Sequence, residues 1–101
     1  MAVIEIPFSP KMACAALAGQ KCATTRSEPK GEPGDIFEIG GQWFRLLDVW
    51  EVPLRWVNEG AYRLEGFDSP EAFEKTWRSL HRGHYTDNKQ YFIHFFAGCE
   101  R

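Results

Sequence analysis

Cysteine is scarce in this chain: Cys14, Cys22 and Cys99 are an odd number with no C-x-x-C pair. That excludes a disulfide framework and suits a reducing cytoplasm. An excess of basic charge is missing too, since twelve Lys and Arg stand against fourteen Asp and Glu for a formal charge of −2. No global field therefore draws in long double-stranded DNA, and any nucleic-acid contact is local. Long apolar runs are absent, and Met1–Phe8 carries no basic leader. Neither a signal peptide nor a membrane span is expected. Without internal repeats or low-complexity tracts, the 101 residues read as one domain, 1–101.

Aromatic residues are plentiful, with four Trp and eight Phe, which predicts a dense ring-rich core. Val3–Phe8 alternates enough for a first strand, and Ser9-Pro10 supplies a helix cap and a first-turn proline. Alanine-rich Lys11–Ala18 is then a helix that Gly19 stops. Lys21–Arg26 follows as a strand with Cys22, Thr24 and Arg26 on one face and Ala23 and Thr25 on the other. Ser27–Gly34, rich in Pro and Gly, is a loop. Asp35–Ile39 and Gln42–Trp50 flank Gly40-Gly41 as a hairpin. Pro53–Glu59 predicts a short helix with Leu54, Trp56 and Val57 inward and Gly60 at its end. Asp68-Ser69-Pro70-Glu71 opens a better helix whose stripe is Phe73, Trp77 and Leu80, and Gly83 closes it. Lys89–Phe96 is the last strand, with Tyr91, Ile93 and Phe95 opposite Phe92, His94 and Phe96. An antiparallel central hairpin with so few β-α-β crossovers excludes a doubly wound parallel sheet. The expected class is α+β: a small mixed β-barrel with flanking helices and a cleft at the barrel mouth.

The segment that looks like a site is Gly19-Gln20-Lys21-Cys22-Ala23-Thr24-Thr25-Arg26. A lysine readily loses its proton on burial, so Lys21 beside a Thr24 hydroxyl pairs a base with a nucleophile. Arg26 adds a cationic fork suited to phosphate or carboxylate. The same string is equally compatible with a polar strand edge. His81, His84, Asp87 and His94 match no common zinc spacing, so neither a metal nor another cofactor is expected. Cys22 reads as a small buried residue, since no histidine partner is evident for a reactive thiol.

The string G-x-K-x-x-T-x-R, with Gly34-Asp35 before a strand and Leu64-Glu65-Gly66-Phe67 before a capped helix, resembles the ASCH domain family of the PUA-like superfamily over nearly the whole chain. The resemblance implies a small PUA-like barrel with a cleft and a link to RNA or modified nucleosides. In some small bacterial members it also implies hydrolysis of N(4)-acetylcytidine. Carried over by position, the family's catalytic lysine, threonine and glutamate fall on Lys21, Thr24 and Glu65, with Asp68, Glu71 and Glu74 close to the last in sequence. Thr25, Arg26, Arg63 and Phe67 are the candidate ligand contacts.

Those residue types support amide hydrolysis. A desolvated Lys21 accepts the Thr24 proton, Thr24 attacks, and Glu65, kept partly protonated by an apolar neighbour such as Phe67, protonates the leaving amine and later activates water. The bland counterpart is a Lys–Glu ion pair at the barrel mouth. A different class is a binding module without turnover, with bases stacked on some of Trp43, Trp50, Trp56, Tyr62, Phe67 and Trp77 and phosphates met by Arg26, Arg55 and Arg63. A ribonuclease using Lys21 and a histidine is the third.

Overall fold

The computed structural model describes residues 1–101. Helix α1 (Pro10–Leu17) begins where Ser9 accepts a hydrogen bond from the Met12 amide and stops at Gly19, whose φ is +78°. Helix α3 (Pro70–Leu80) starts the same way, with Ser69 accepting from the Ala72 amide. In both, a side-chain oxygen satisfies one orphan amide and proline fills a position that needs no donor.

Strands β1 (Ala23–Arg26), β2 (Ile36–Ile39), β3 (Gln42–Pro53) and β4 (Gln90–Cys99) form one antiparallel sheet in the order β1-β4-β3-β2. The sheet curls into a half-barrel, so the α+β, PUA-like architecture is present, but the four strands do not close on themselves. Gly40 and Gly41, at φ +56° and +87°, make the two-residue hairpin turn. β3 and β4 run longer than their sequence patterns suggest because they pair from Trp43↔Cys99 to Pro53↔Gln90. A register shift between Leu46 and Asp48 leaves Leu47 outside that pairing.

Two expected elements take a different form. Val3–Phe8 is not a strand: it makes a single parallel bridge, Val3↔Ile36, secured by Ile4 N–H to Ile36 O (2.8 Å) and Ile36 N–H to Ala2 O (2.9 Å). Beyond it Pro7 lacks a donor, and the chain leaves the β2 edge. Its Pro7 carbonyl instead accepts from the Arg26 guanidinium (2.7 Å) on β1. The short helix after β3 is also different. A single turn, α2 (Leu54–Trp56), passes into a π-helical turn, Val57–Ala61, that runs through Gly60. Leu54, Val57 and Ala61 are buried there, whereas Trp56 lies on the surface against Trp50.

The interior has two parts. One, between α1, β2 and the sheet, holds Phe37, Phe44 and Phe96 at ring separations of 5.4–5.7 Å, with half-buried Phe8 beside them. The other lies under α3 and the π-helical turn and contains Ala23, Leu54, Val57, Phe73, Trp77 and Ile93. Leu80, expected in this core, is mostly exposed.

Candidate functional site

The turn between Gly19 and β1 brings Lys21 to the segment Leu64–Phe67. The Leu64 carbonyl accepts from both the Cys22 amide (2.8 Å) and the Ala23 amide (3.0 Å), so the two segments lie against each other. Gly66, at φ +96°, is required at that contact. A Cβ there would meet the Lys21 Cβ at 3.3 Å in a backbone conformation that side chains disfavour.

Glu65 is thereby folded inward and is 4% exposed, as is Lys21. The Lys21 ammonium donates to the Glu65 carbonyl (2.9 Å) and to Oε1 of its carboxylate (3.3 Å). Oε2 accepts the Thr25 hydroxyl at 2.6 Å. Burial lowers the pKa of Lys21 below its usual value, against the opposing attraction of Glu65. The hydroxyl bonded to the carboxylate is thus that of Thr25 rather than Thr24.

Thr24 is buried, and its oxygen accepts from the Arg26 guanidinium, which also donates to the Thr25 carbonyl (3.1 Å). With its further bond to Pro7 and its place over the Phe8 ring (5.4 Å), Arg26 is a strut between β1 and the N-terminal segment. The proton of the Thr24 hydroxyl is left free to be donated elsewhere. Behind Thr24, fully buried His94 accepts the Lys30 amide on Nε2 (2.9 Å). Its Nδ1–H therefore faces the carbonyls of Thr24 (3.2 Å) and Phe92 (3.1 Å). Burial keeps this ring's pKa below 6.5, helped by the charges of Arg26 and Lys30.

Lys21, Thr24, Thr25, Arg26 and Glu65 all line one cavity of about 360 Å³. Its walls are apolar: Phe8 and Met12 from the N-terminal side, Phe67 behind Glu65, and Phe73 and Trp77 from α3. That size and make-up, an apolar hollow with a few convergent polar groups, fits a small organic ligand. Phe67 stands where the sequence suggests, edge-on to Phe73 at 5.6 Å between ring centres. Arg63 does not line the cavity; its guanidinium covers the Tyr62 ring. Among the candidate stacking residues, Phe67 and Trp77 border the cavity, whereas Trp43, Trp50, Trp56 and Tyr62 do not.

Sequence reasoning named Trp77 but missed Phe8, Phe73 and Thr76 of α3, and His81 just beyond it, in the cavity wall. One signal for it is present. Thr76 falls on the same helical face as Phe73, Trp77 and Leu80, and a polar residue inside an apolar stripe marks a face that is not simply core. No cluster of three or more His, Cys, Asp or Glu is arranged to hold a metal ion.

These features define an α+β domain of PUA-like fold whose curled sheet and helix α3 enclose a cavity with a buried lysine–glutamate pair. Its fold is that of a small ASCH-like domain. An ASCH domain from Lactobacillus crispatus JV V101 superimposes with a TM-score of 0.69 at 14% identity, covering 96% of this chain and 78% of that one. Protein EF3133 from Enterococcus faecalis V583, assigned to the family model DUF984, gives 0.63 at 17% identity with the same coverage. Hypothetical protein PH0355 gives 0.68 at 18% identity over 98% of this chain and all of that one. At these identities the likeness is one of fold. No protein-family model and no curated protein matches the chain. No helix is long and apolar enough to cross a membrane.

Proposed function

We propose that the cavity binds the base of a modified nucleoside, free or in RNA, and hydrolyses an N-acyl amide on it, as in N(4)-acetylcytidine. One observation carries this reading: a lysine whose charged form is disfavoured by burial shares an open, aromatic-walled cavity with a carboxylate and with a threonine hydroxyl whose proton is free. Ionisable groups perturbed in this way inside a cleft are characteristic of reacting sites.

In the first half-reaction, neutral Lys21 removes the Thr24 proton and the Thr24 oxygen bonds to the acyl carbon. The guanidinium of Arg26 favours the ionised form of that oxygen. The C–N bond then breaks, and the exocyclic nitrogen leaves with the proton held by Lys21, giving an acyl ester on Thr24. In the second, Glu65 takes a proton from water, whose oxygen attacks the ester carbon. The Thr24–acyl bond breaks, and the proton returns to the Thr24 oxygen as the carboxylic acid departs. Thr25, bonded to Oε2, holds the carboxylate in place.

Incubation with N(4)-acetylcytidine is expected to release cytidine and acetate. Thr24→Ala is expected to lower kcat more than about a thousandfold, as loss of a nucleophile does. A second reading, binding without turnover, is favoured by the Lys21–Glu65–Thr25 cluster, in which ammonium, carboxylate and hydroxyl satisfy one another without a substrate. Base-dependent binding that survives Thr24→Ala, with no release of cytidine, decides for it. Cleavage of added RNA decides for a ribonuclease.

A further inference from the structure

Helix α3 ends in a turn that separates two hollows. Leu80 and His81 line both the cavity described above and a second, shallower one of about 460 Å³. The polar lining of the second is Arg82, His84, Thr86 and Lys89 together with His81, and no carboxylate is among it. In a chain of net charge −2 this is a local concentration of cationic and hydrogen-bonding groups. Arg82, His84 and Lys89 are exposed.

The turn that carries them is firmly held. Arg82 is the one non-glycine residue with positive φ (57°), followed by Gly83 at 84°. A left-handed arginine is strained and persists only where its surroundings over-determine it. Here Gly83 N–H reaches the Arg78 carbonyl (2.6 Å), and the Arg78 guanidinium donates to the Gly83 carbonyl (2.8 Å). His81 is fixed on the rim between the hollows. Its ring stacks on Trp77 at 4.2 Å, and its Nδ1–H is spent on the Trp77 carbonyl (2.8 Å). The Lys89 ammonium lies over Tyr91 at 5.3 Å.

We infer that this second hollow is a phosphate subsite. It receives the phosphate ester attached to a nucleoside whose base occupies the main cavity, with the sugar crossing the rim at His81. The inference extends the proposed nucleoside reading to the ligand's phosphate but needs no turnover. The preferred ligand is then a nucleotide, either a mononucleotide or a residue within a single strand, rather than a free nucleoside. Multiple cationic donors meeting one phosphate suit such an ester, and the contribution weakens with salt.

The test is calorimetric binding of cytidine, cytidine 5′- and 3′-monophosphates, the trinucleotide CpCpC and inorganic phosphate at low and at physiological salt. Wild type is compared with Arg82→Gly/Lys89→Ala. Glycine relieves the positive φ at position 82, and both residues are exposed, so this variant is expected to keep its melting temperature and its affinity for cytidine. At least one phosphorylated probe is expected to bind about tenfold tighter than cytidine at low salt, and the variant to lose that advantage. Mononucleotide binding as tight as CpCpC identifies a terminal phosphate; an advantage confined to CpCpC identifies a strand phosphodiester. Equal affinity for all cytidine probes, or an advantage that survives the double substitution, overturns the subsite. Variant-sensitive binding of inorganic phosphate or CpCpC without any binding of cytidine keeps the subsite and removes the base-binding reading. No binding of any probe removes both. Absence of N(4)-acetylcytidine hydrolysis with intact phosphate discrimination removes only the catalysis.

Discussion

The two parts of the interior are made of different material. Around Phe37, Phe44 and Phe96 the core contains only apolar side chains that meet edge to face or stacked. The cavity, by contrast, has buried Lys21, Thr24, Thr25 and Glu65 in its wall beside the aromatic residues. Burying charge is costly unless it is paired, and replacing a buried ion pair by apolar residues is often neutral or stabilising. A fold of this size gains little stability from placing a lysine and a glutamate inside, so their persistence beside an open cavity points to what they do there. The phenylalanine side holds the sheet together; the polar side carries the groups that the proposed reaction uses.

That contrast can be broken in several ways. Phe37→Ala is expected to destabilise the protein by about 3–5 kcal/mol in denaturant titration, with turnover per folded molecule unchanged. An equal loss of turnover in the folded fraction would mean that the two sides are not separable. Glu65→Leu is expected to cost about 3 kcal/mol by stranding the buried Lys21 ammonium. The double substitution Lys21→Met/Glu65→Leu should then recover most of that stability while remaining inactive. Failure to recover would give the pair a structural role.

Mild acid should act first at His94, behind Thr24. His94 has its folded pKa depressed below 6.5, so the unfolded chain binds the proton more readily. Its contribution is fully present above about 6.5 and is lost as pH falls from there through the depressed folded value. A protonated ring cannot accept the Lys30 amide, so exchange protection of that amide should fall over the same window. The amides of β2 should not respond. The smallest effect belongs to the exposed Glu74–Arg78 pair on α3, 3.0 Å apart: Glu74→Gln is expected to change stability by about 0.3–0.5 kcal/mol.

What was legible in the sequence is what is local. Ser9-Pro10 and Ser69-Pro70 mark both helix starts, Gly40-Gly41 marks the hairpin, and the alternation in Tyr91–Phe96 puts Phe96 in the phenylalanine cluster and Tyr91 and Ile93 in the other. The inward position of Glu65 followed from a motif resemblance rather than from any pattern in its neighbours. What stayed hidden depends on partners far along the chain. Thr25 rather than Thr24 reaches Glu65 because of how Leu64 docks on the Cys22 and Ala23 amides, forty-odd residues away in sequence. Arg26 looks like a ligand for phosphate until Pro7 and Thr24 are seen to occupy its donors. Val3–Phe8 has a strand's pattern but finds only one bridge to make.

That N-terminal segment has a consequence beyond the site. An unclosed sheet offers its outermost strands as templates on which another molecule can add a strand. Residues 2–8 touch both rims, sealing β2 by way of Ile36 and reaching β1 through Arg26. A few residues of irregular chain thus lie where a full barrel would place further strands, leaving less open edge for another molecule to pair with.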